Sequence, residues 1–203
     1  LKSQRGNMNI EPYFRLFRID HAFMLSVAVF LAIGLSTNGK FDIPFEVFLA
    51  ALFVPFFVEM GSFALNDYFD VQVDRENKRT DRPIAQGQIK PNVALALALI
   101  SYLVALVVSL IFLPFVANVI VFVFSAFSVL YNYKLKEFPL IGNLYIASSM
   151  GIPFIFGNII VSEQILPTIL SISIVAIIAG LGREIVKTVQ DFEGDLKHRK
   201  SNT

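Results

Sequence analysis

The chain has no cysteine and no tryptophan, only two histidines, and little charge: 17 Lys and Arg against 16 Asp and Glu in 203 residues. Without cysteine there is no disulfide, no thiolate nucleophile and no cysteine metal centre. With His21 and His198 the only imidazoles, a zinc site is not expected. No stretch rich in Ser, Gly or Pro separates domains, and no low-complexity segment occurs. The net charge of +1 offers no attraction for nucleic acid, and no such partner is expected. Charged residues make up 16% of the chain and hydrophobic ones 55%, with a mean hydropathy of +0.65. That balance excludes a soluble domain, which must cover its core with polar side chains.

What fills the chain instead is long apolar runs. Six windows, His21–Thr37, Phe45–Leu65, Val93–Phe112, Phe115–Tyr131, Leu140–Val161 and Ile165–Leu181, fall within the roughly 17–25 residues that a spanning helix needs. They are apolar all round rather than along one stripe, as spans packed in a bundle or against lipid are. The expected fold is an all-α polytopic membrane bundle. Every Lys and Arg except Lys40 lies in the N-terminal arm, in Asn66–Asn92, in Asn132–Pro139 or in the tail from Gly182, which share one side if all six spans cross. The positive-inside rule then places the N-terminus and that side in the cytoplasm, in an integral protein of the cell membrane.

Two acidic clusters sit on that side. Asn66, Asp70 and Asp74 follow the second span at i, i+4 and i+8, and Asp191 and Asp195 repeat the i, i+4 spacing after the sixth. If the helices run on, each set stacks its oxygens on one face, where like charges repel unless a cation lies among them. Oxygen ligands without His or Cys favour magnesium, which also binds phosphate oxygens. Arg75, Lys78, Arg79 and Arg82 surround the first cluster, Lys134 and Lys136 follow the fourth span, and Lys187 stands one turn before Asp191. Such cations suit the remaining oxygens of a metal-bound diphosphate, although cytoplasmic loops carry Lys and Arg for topology alone. Glu59 lies inside the second span, seven residues before Asn66, and an intramembrane acid is a functional candidate or the partner of a neighbouring helix. Pro55 and Pro153 interrupt spans, and Gly151, Gly157, Gly180 and Gly182 suit close helix approach.

Asn66-Asp67-x-x-Asp70-x-x-x-Asp74, then Asp81-Arg82-Pro83-Ile84, Tyr131-Asn132-Tyr133-Lys134 and Asp191-x-x-x-Asp195, in this order, resemble the UbiA superfamily of intramembrane prenyltransferases. The resemblance covers essentially the whole chain. It implies a helical bundle around a cavity open to lipid, with two magnesium ions bridging the diphosphate of a polyprenyl donor. Asn66, Asp70 and Asp74 would serve the first ion, and Asp191 and Asp195 the second. Arg82, Tyr131, Lys134, Lys187 and Arg18 would face the diphosphate; at Arg18 the family commonly reads Arg-Pro, whereas this chain has Arg18-Ile19-Asp20. Departure of the diphosphate leaves an allylic cation, which a lipophilic acceptor attacks.

The stretch Gly182–Asp195 looks most like the ether-lipid branch of the family, which moves a geranylgeranyl group onto geranylgeranylglyceryl phosphate. The alternative implied by the shared motifs is an aromatic acceptor of the 4-hydroxybenzoate, naphthoate or homogentisate type. The family usually has nine spans, so residues 1–203 are expected to be a single prenyltransferase domain lacking its C-terminal spans, with Lys197–Thr203 reading as an interrupted loop. A cation transporter would put its carboxylates near the midplane on broken helices, yet all but Glu59 gather at one face here.

Overall fold

The computed structural model describes residues 10–138 and 140–195, with the side chains of Glu137, Thr188 and residues 190–195 outside the described set. Lys197–Thr203 therefore lies outside it too. The described residues form helices and no strand: α1 (Glu11–Phe17), α2 (Ile19–Ser36), α3 (Phe45–Phe69), α4 (Val71–Glu76), α5 (Pro91–Phe112), α6 (Phe115–Tyr133), α7 (Ile141–Val161) and α8 (Pro167–Asp195). A 3-10 turn at Leu135–Glu137 joins α6 to α7. Proline punctuates the helix starts, standing just before α3 and α6 as Pro44 and Pro114 and opening α5 and α8 as Pro91 and Pro167. Its fixed φ suits a first turn, where the missing N–H has no partner to lose.

All six expected spans are present as helices long and apolar enough to cross a membrane. The protein is an integral membrane helix bundle. Their ends differ by a few residues from expectation, chiefly because α3 runs on to Phe69 and α8 continues to Asp195, past the apolar part at Pro167–Lys187. Large apolar side chains such as Leu110 (69% exposed) and Phe115 (80% exposed) stand on the outer surface, which hydrocarbon tolerates and water would not.

Seams of small residues bring the helices together, as expected where lipid removes the hydrophobic drive for association. α5 buries Ala94, Ala98, Ser101, Tyr102, Ala105 and Ser109 against α3, where a Cβ on Gly61 would sit 3.1 Å from the Ala98 carbonyl. On α7, a Cβ on Gly157 would lie 2.7 Å from the Val29 carbonyl of α2, and one on Gly151 would lie 2.6 Å from the Ser173 carbonyl of α8. Gly180 packs as closely, on Ala147 and Met150. Gly182 differs from expectation, since a Cβ there meets nothing within 4 Å.

At the end of the bundle away from the acidic clusters, two asparagines tie the helical turns. Asn118 accepts from Ser109 Oγ and donates to the Leu113 carbonyl between α5 and α6. Asn158, fully buried, donates to the Gln164 carbonyl and accepts from Leu166 N–H between α7 and α8. Pro55 leaves helix α3 one amide short, and Ser26 Oγ of α2 donates to the nearby Leu52 carbonyl at 2.8 Å.

Gly151→Ala should lower the thermal midpoint in detergent by the equivalent of about 1–3 kcal/mol, because its Cβ meets backbone that cannot swing away. Gly182→Ala, measured beside it, should leave the midpoint unchanged or slightly raised.

Candidate functional site

Helix α3 ends in Asn66-Asp67-Tyr68-Phe69, and Asp70 departs from helical geometry at φ −91° and ψ 3° before α4 begins. Backbone bonds still carry the helical path across it, from Asp70 N–H to the Asn66 carbonyl (2.9 Å) and from Asp74 N–H to the Asp70 carbonyl (2.8 Å). The expected stacking of Asn66, Asp70 and Asp74 therefore has its backbone basis. Asn66 Nδ2 donates to Asp70 Oδ2 at 3.0 Å, which leaves the Asn66 amide oxygen for another partner.

Asp67, one residue on from Asn66, points about 100° away around the helix. It is 1% exposed, and its Oδ1 accepts from Arg18 Nη2 at 2.9 Å and from Arg82 Nη1 at 2.7 Å. Arg18 separates α1 from α2 in the left-handed region, at φ 43° and ψ 58°, a conformation costly for a residue with a Cβ. Its guanidinium also lies 4.1 Å from the centre of the Phe63 ring, a cation–π contact that with Asp67 offsets the strain. Arg82 is placed by its neighbours: Pro83 and Ile84 are fully buried, Ile84 in a cluster with Leu16, Leu65 and Ile89. The loop is thus clamped to the end of the bundle, and Arg82 Nε comes within 3.8 Å of Asp74 and 3.5 Å of Asp81.

Basic groups reach the ligand stripe from elsewhere. Lys136, in the 3-10 turn after α6, forms a short ion pair with Asp70. Lys134, the cap of α6, is exposed, while Tyr131 stacks on Tyr145 of α7 at 5.1 Å. Arg79 pairs in bidentate fashion with Asp81, and that hydrogen bond holds the Asp81 carboxyl below its ordinary range. Arg75 and Lys78 are exposed. Burial first, and then the charge of Asp70, push the Asp74 carboxyl up to about 6.

The stripe suits a hard cation. Asp74 Oδ2 is buried without a hydrogen-bond partner, and a carboxyl pushed toward holding a proton is one that a positive charge would relieve. Lys136 already supplies such a charge at Asp70, so a metal ion would share that carboxylate with the ammonium or displace it. No group of three or more His, Cys, Asp and Glu gathers in metal-binding geometry among the described residues. The stripe offers two carboxylates and an amide, a partial shell of the kind magnesium completes with water and phosphate oxygens.

The backbone of α8 runs unbroken from Pro167 to Asp195, so Lys187, Asp191 and Asp195 follow one another at helical i, i+4 spacing. The side chains of Asp191 and Asp195 lie outside the described set, and that of Lys187 is exposed. Two residues to which the resemblance gave no role, Lys136 and Asp67, belong at the first cluster. Lys136 occupies a position that loop geometry, not spacing, decides. Asp67 was visible as the acid beside Asn66, and its 100° offset from the ligand stripe is the signal that its partner lies elsewhere.

The sequence profile of the UbiA prenyltransferase family matches residues 25–203. A digeranylgeranylglyceryl phosphate synthase of Archaeoglobus fulgidus is 38% identical over 180 residues, covering 89% of this chain and 60% of that protein. The enzyme of the same name from Methanosphaera stadtmanae is 35% identical over 191 residues, covering 93% and 66%. A solved structure concerned with digeranylgeranylglyceryl phosphate synthase in membranes superposes with a TM-score of 0.79 at 32% identity, covering 93% of this chain and 66% of that one. A UbiA homologue from Archaeoglobus fulgidus, solved bound to DMAPP and Mg2+, shares the fold at a TM-score of 0.72 and 18% identity, over 91% of this chain and 65% of its own. The chain spans 60% and 66% of the lengths of the first two relatives.

Removing Asp67 strands two guanidiniums at the end of α3. Asp67→Ala should destabilise the protein by about 3–5 kcal/mol in chemical unfolding, whereas Asp67→Asn, which keeps an acceptor oxygen, should cost less than half as much. Equal losses in the two variants would show that the acceptor oxygen does not hold the cluster.

Proposed function

The chain belongs to the UbiA prenyltransferase family, and on that premise we propose that it moves a polyprenyl group, geranylgeranyl by its resemblance, from the diphosphate to the free hydroxyl of geranylgeranylglyceryl phosphate. The observation that carries this reading is the Asn66–Asp70–Asp74 stripe, with a buried carboxylate oxygen that no hydrogen bond reaches, set beside Arg18, Arg82 and Lys136 where an apolar bundle meets its polar end. Carboxylates next to cations, bordering hydrocarbon, suit a ligand with a polyanionic head and a long apolar tail.

In this reading Asn66, Asp70 and Asp74 would hold one magnesium ion, and Asp191 and Asp195 would hold a second. Magnesium, when bound, supplies Lewis-acid stabilisation to the departing diphosphate. Arg82 and Arg18, fixed by Asp67, present guanidinium edges whose free N–H groups bind phosphate oxygens, and Lys136 adds a point charge on the Asp70 side. Tyr131, Lys134 and Lys187 complete the ring of groups toward the diphosphate. The carbon–oxygen bond to the diphosphate breaks, the acceptor oxygen bonds to the allylic carbon, and the hydroxyl proton leaves. The apolar helices keep water from the allylic carbon, where it would compete as nucleophile. By the positive-inside rule the cluster faces the cytoplasm, where water-soluble diphosphate is released.

The test offers purified protein in detergent radiolabelled geranylgeranyl diphosphate with geranylgeranylglyceryl phosphate, 4-hydroxybenzoate, 1,4-dihydroxy-2-naphthoate and homogentisate. Label should enter the glyceryl lipid alone and vanish with EDTA. Asp70→Ala should lower the rate at least about a hundredfold while the protein elutes unchanged from gel filtration. Label in an aromatic product would overturn the acceptor, and full turnover by the Asp70 variant would overturn the metal assignment.

A further inference from the structure

Lys136 stands at the first ligand stripe in a place that a metal ion and a diphosphate would both contest. Its ammonium pairs with Asp70 Oδ1, while Asp70 Oδ2 accepts from Asn66 Nδ2 at 3.0 Å. A carboxylate only accepts, so the Asn66 amide turns its NH2 toward Asp70 to make that bond. Both Asp70 oxygens are thus engaged by neighbours in this chain, and the stripe is closed from within. The pair is sheltered, with 15% of the Lys136 side chain and 19% of the Asp70 side chain exposed, so water screens it only in part.

The two partners are held differently. Asp70 belongs to the backbone path from α3 into α4, bonded to Asn66 behind it and to Asp74 ahead. The turn that carries Lys136 is fixed as well. A Cβ on Gly142 would lie 3.5 Å from Lys136 Cα and 3.3 Å from the Tyr131 ring, so α7 begins pressed against that turn. What can move is the lysine side chain, a point charge on a flexible stem with no planar fork to fix it on one carboxylate. Arg82 is wedged by buried Pro83 and Ile84 and bonded to Asp67. Lys136 is therefore built to change partner, as Arg82 is not.

Sharing does not settle the contest. A divalent ion on Asp70 would sit close to the ammonium, and two cations so near repel unless an anion lies between them. A diphosphate is such an anion, with oxygens enough for both metal and lysine. Further down α3 an open pocket lies between α2, α3, α6 and α7, walled by Val58 and Phe124, with Glu59 and Ser62 among its polar groups. An apolar tail lying there would present its anionic head to the stripe.

We propose that Lys136 is an exchangeable counter-ion. It neutralises Asp70 and holds the stripe closed against metal alone. A diphosphate draws the ammonium onto its own oxygens and thereby releases Asp70 to the cation, so that metal and diphosphate enter together. The handover to diphosphate rests on the prenyltransferase reading, whereas the competition between Lys136 and metal does not.

The probe is Mn2+, a hard cation that carboxylates and water also suit, titrated by EPR, where the signal of the free aqueous ion falls as it binds. The metal arm uses the full-length chain in neutral detergent with Asp191→Asn and Asp195→Asn, so that the first stripe alone is read. In that background Lys136→Met, which keeps the stem and loses the charge, should bind Mn2+ about tenfold more tightly than the protein with Lys136. Lys136→Arg should leave binding weak. Lys90→Met, which removes an exposed charge from the same end of the bundle, should change it less than about twofold. The second arm keeps Asp191 and Asp195 and titrates the Mn2+ complex of non-hydrolysable geranylgeranyl thiolodiphosphate. Lys136→Met should bind that complex about tenfold more weakly than wild type. Opposite signs in the two arms are what a merely structural lysine would not produce. Gel filtration checks folding, and Lys136→Gln repeats both arms if the Met variant aggregates. Mn2+ binding that is equal with and without the Lys136 charge, including none in either, overturns the competition. A gain as large in Lys90→Met overturns it too, and complex binding unchanged in Lys136→Met overturns the handover. Wild type that fails to bind the complex at all would overturn the transferase reading while the metal arm stands by itself.

Discussion

One buried carboxylate oxygen organises the polar end of this protein. Asp67 Oδ1 receives a guanidinium from the α1–α2 junction and another from the loop between α4 and α5, so three segments far apart in sequence meet at a single atom. Each partner requires the others. A carboxylate that is 1% exposed would be expensive without both arginines, and Arg18 would have little reason to accept a left-handed backbone without the acid and the Phe63 ring. Two cations share this one anion, and Arg82 also turns toward Asp74 of the neighbouring ligand stripe and Asp81. The same contact therefore stabilises the fold and sets the electrostatics of the site.

The remainder of the fold keeps that contact in register. Alanine, serine and glycine seams hold α3 against α5, α2 against α7 and α7 against α8 at distances where one added methyl group would collide with backbone. Half-buried Asn118 and fully buried Asn158 fasten the turns at the opposite end, where the chain has few charges to spare. Between the tied ends, polar groups line the pocket at Glu59 and Ser62, and Ser62 accepts from Ser128, which is itself bonded to Tyr102. Packing of this kind transmits position: the side chains of α3 point where they do because its neighbours leave it no freedom to rotate.

Much of this was legible beforehand, and the boundary of what was legible is physical. Six spans follow from length and hydropathy because lipid demands continuous helices of a set length, and the Asn66–Asp70–Asp74 stripe follows from the 3.6-residue turn. The assignment of basic residues to it did not follow in the same way. Lys134 and Lys136 are equivalent in composition and two apart, and only the 3-10 turn decides that Lys136 reaches Asp70 while Lys134 remains exposed. Arg82 stood out by its motif, but the burial of Pro83 and Ile84 that aims it is a tertiary fact with no periodic signature. Gly182 shows the converse, a residue type suited to close packing at a position where no neighbour comes near.

The deeper regularity lies in the angular step of one helix. On α3, residues 59, 66 and 70 fall within about 40° of one another, whereas residue 67 lies about 100° from residue 66. Consecutive polar residues at the helix end are thereby assigned to different tasks without any loop to separate them. Asn66 and Asp70 look toward the cation face, Asp67 looks toward the arginines, and Glu59 continues the cation face down into hydrocarbon. A carboxyl at 59 is costly at that depth, and with the Ser62 hydroxyl one turn away it sets a polar patch in the pocket wall below the ligand stripe, on the same side of the helix.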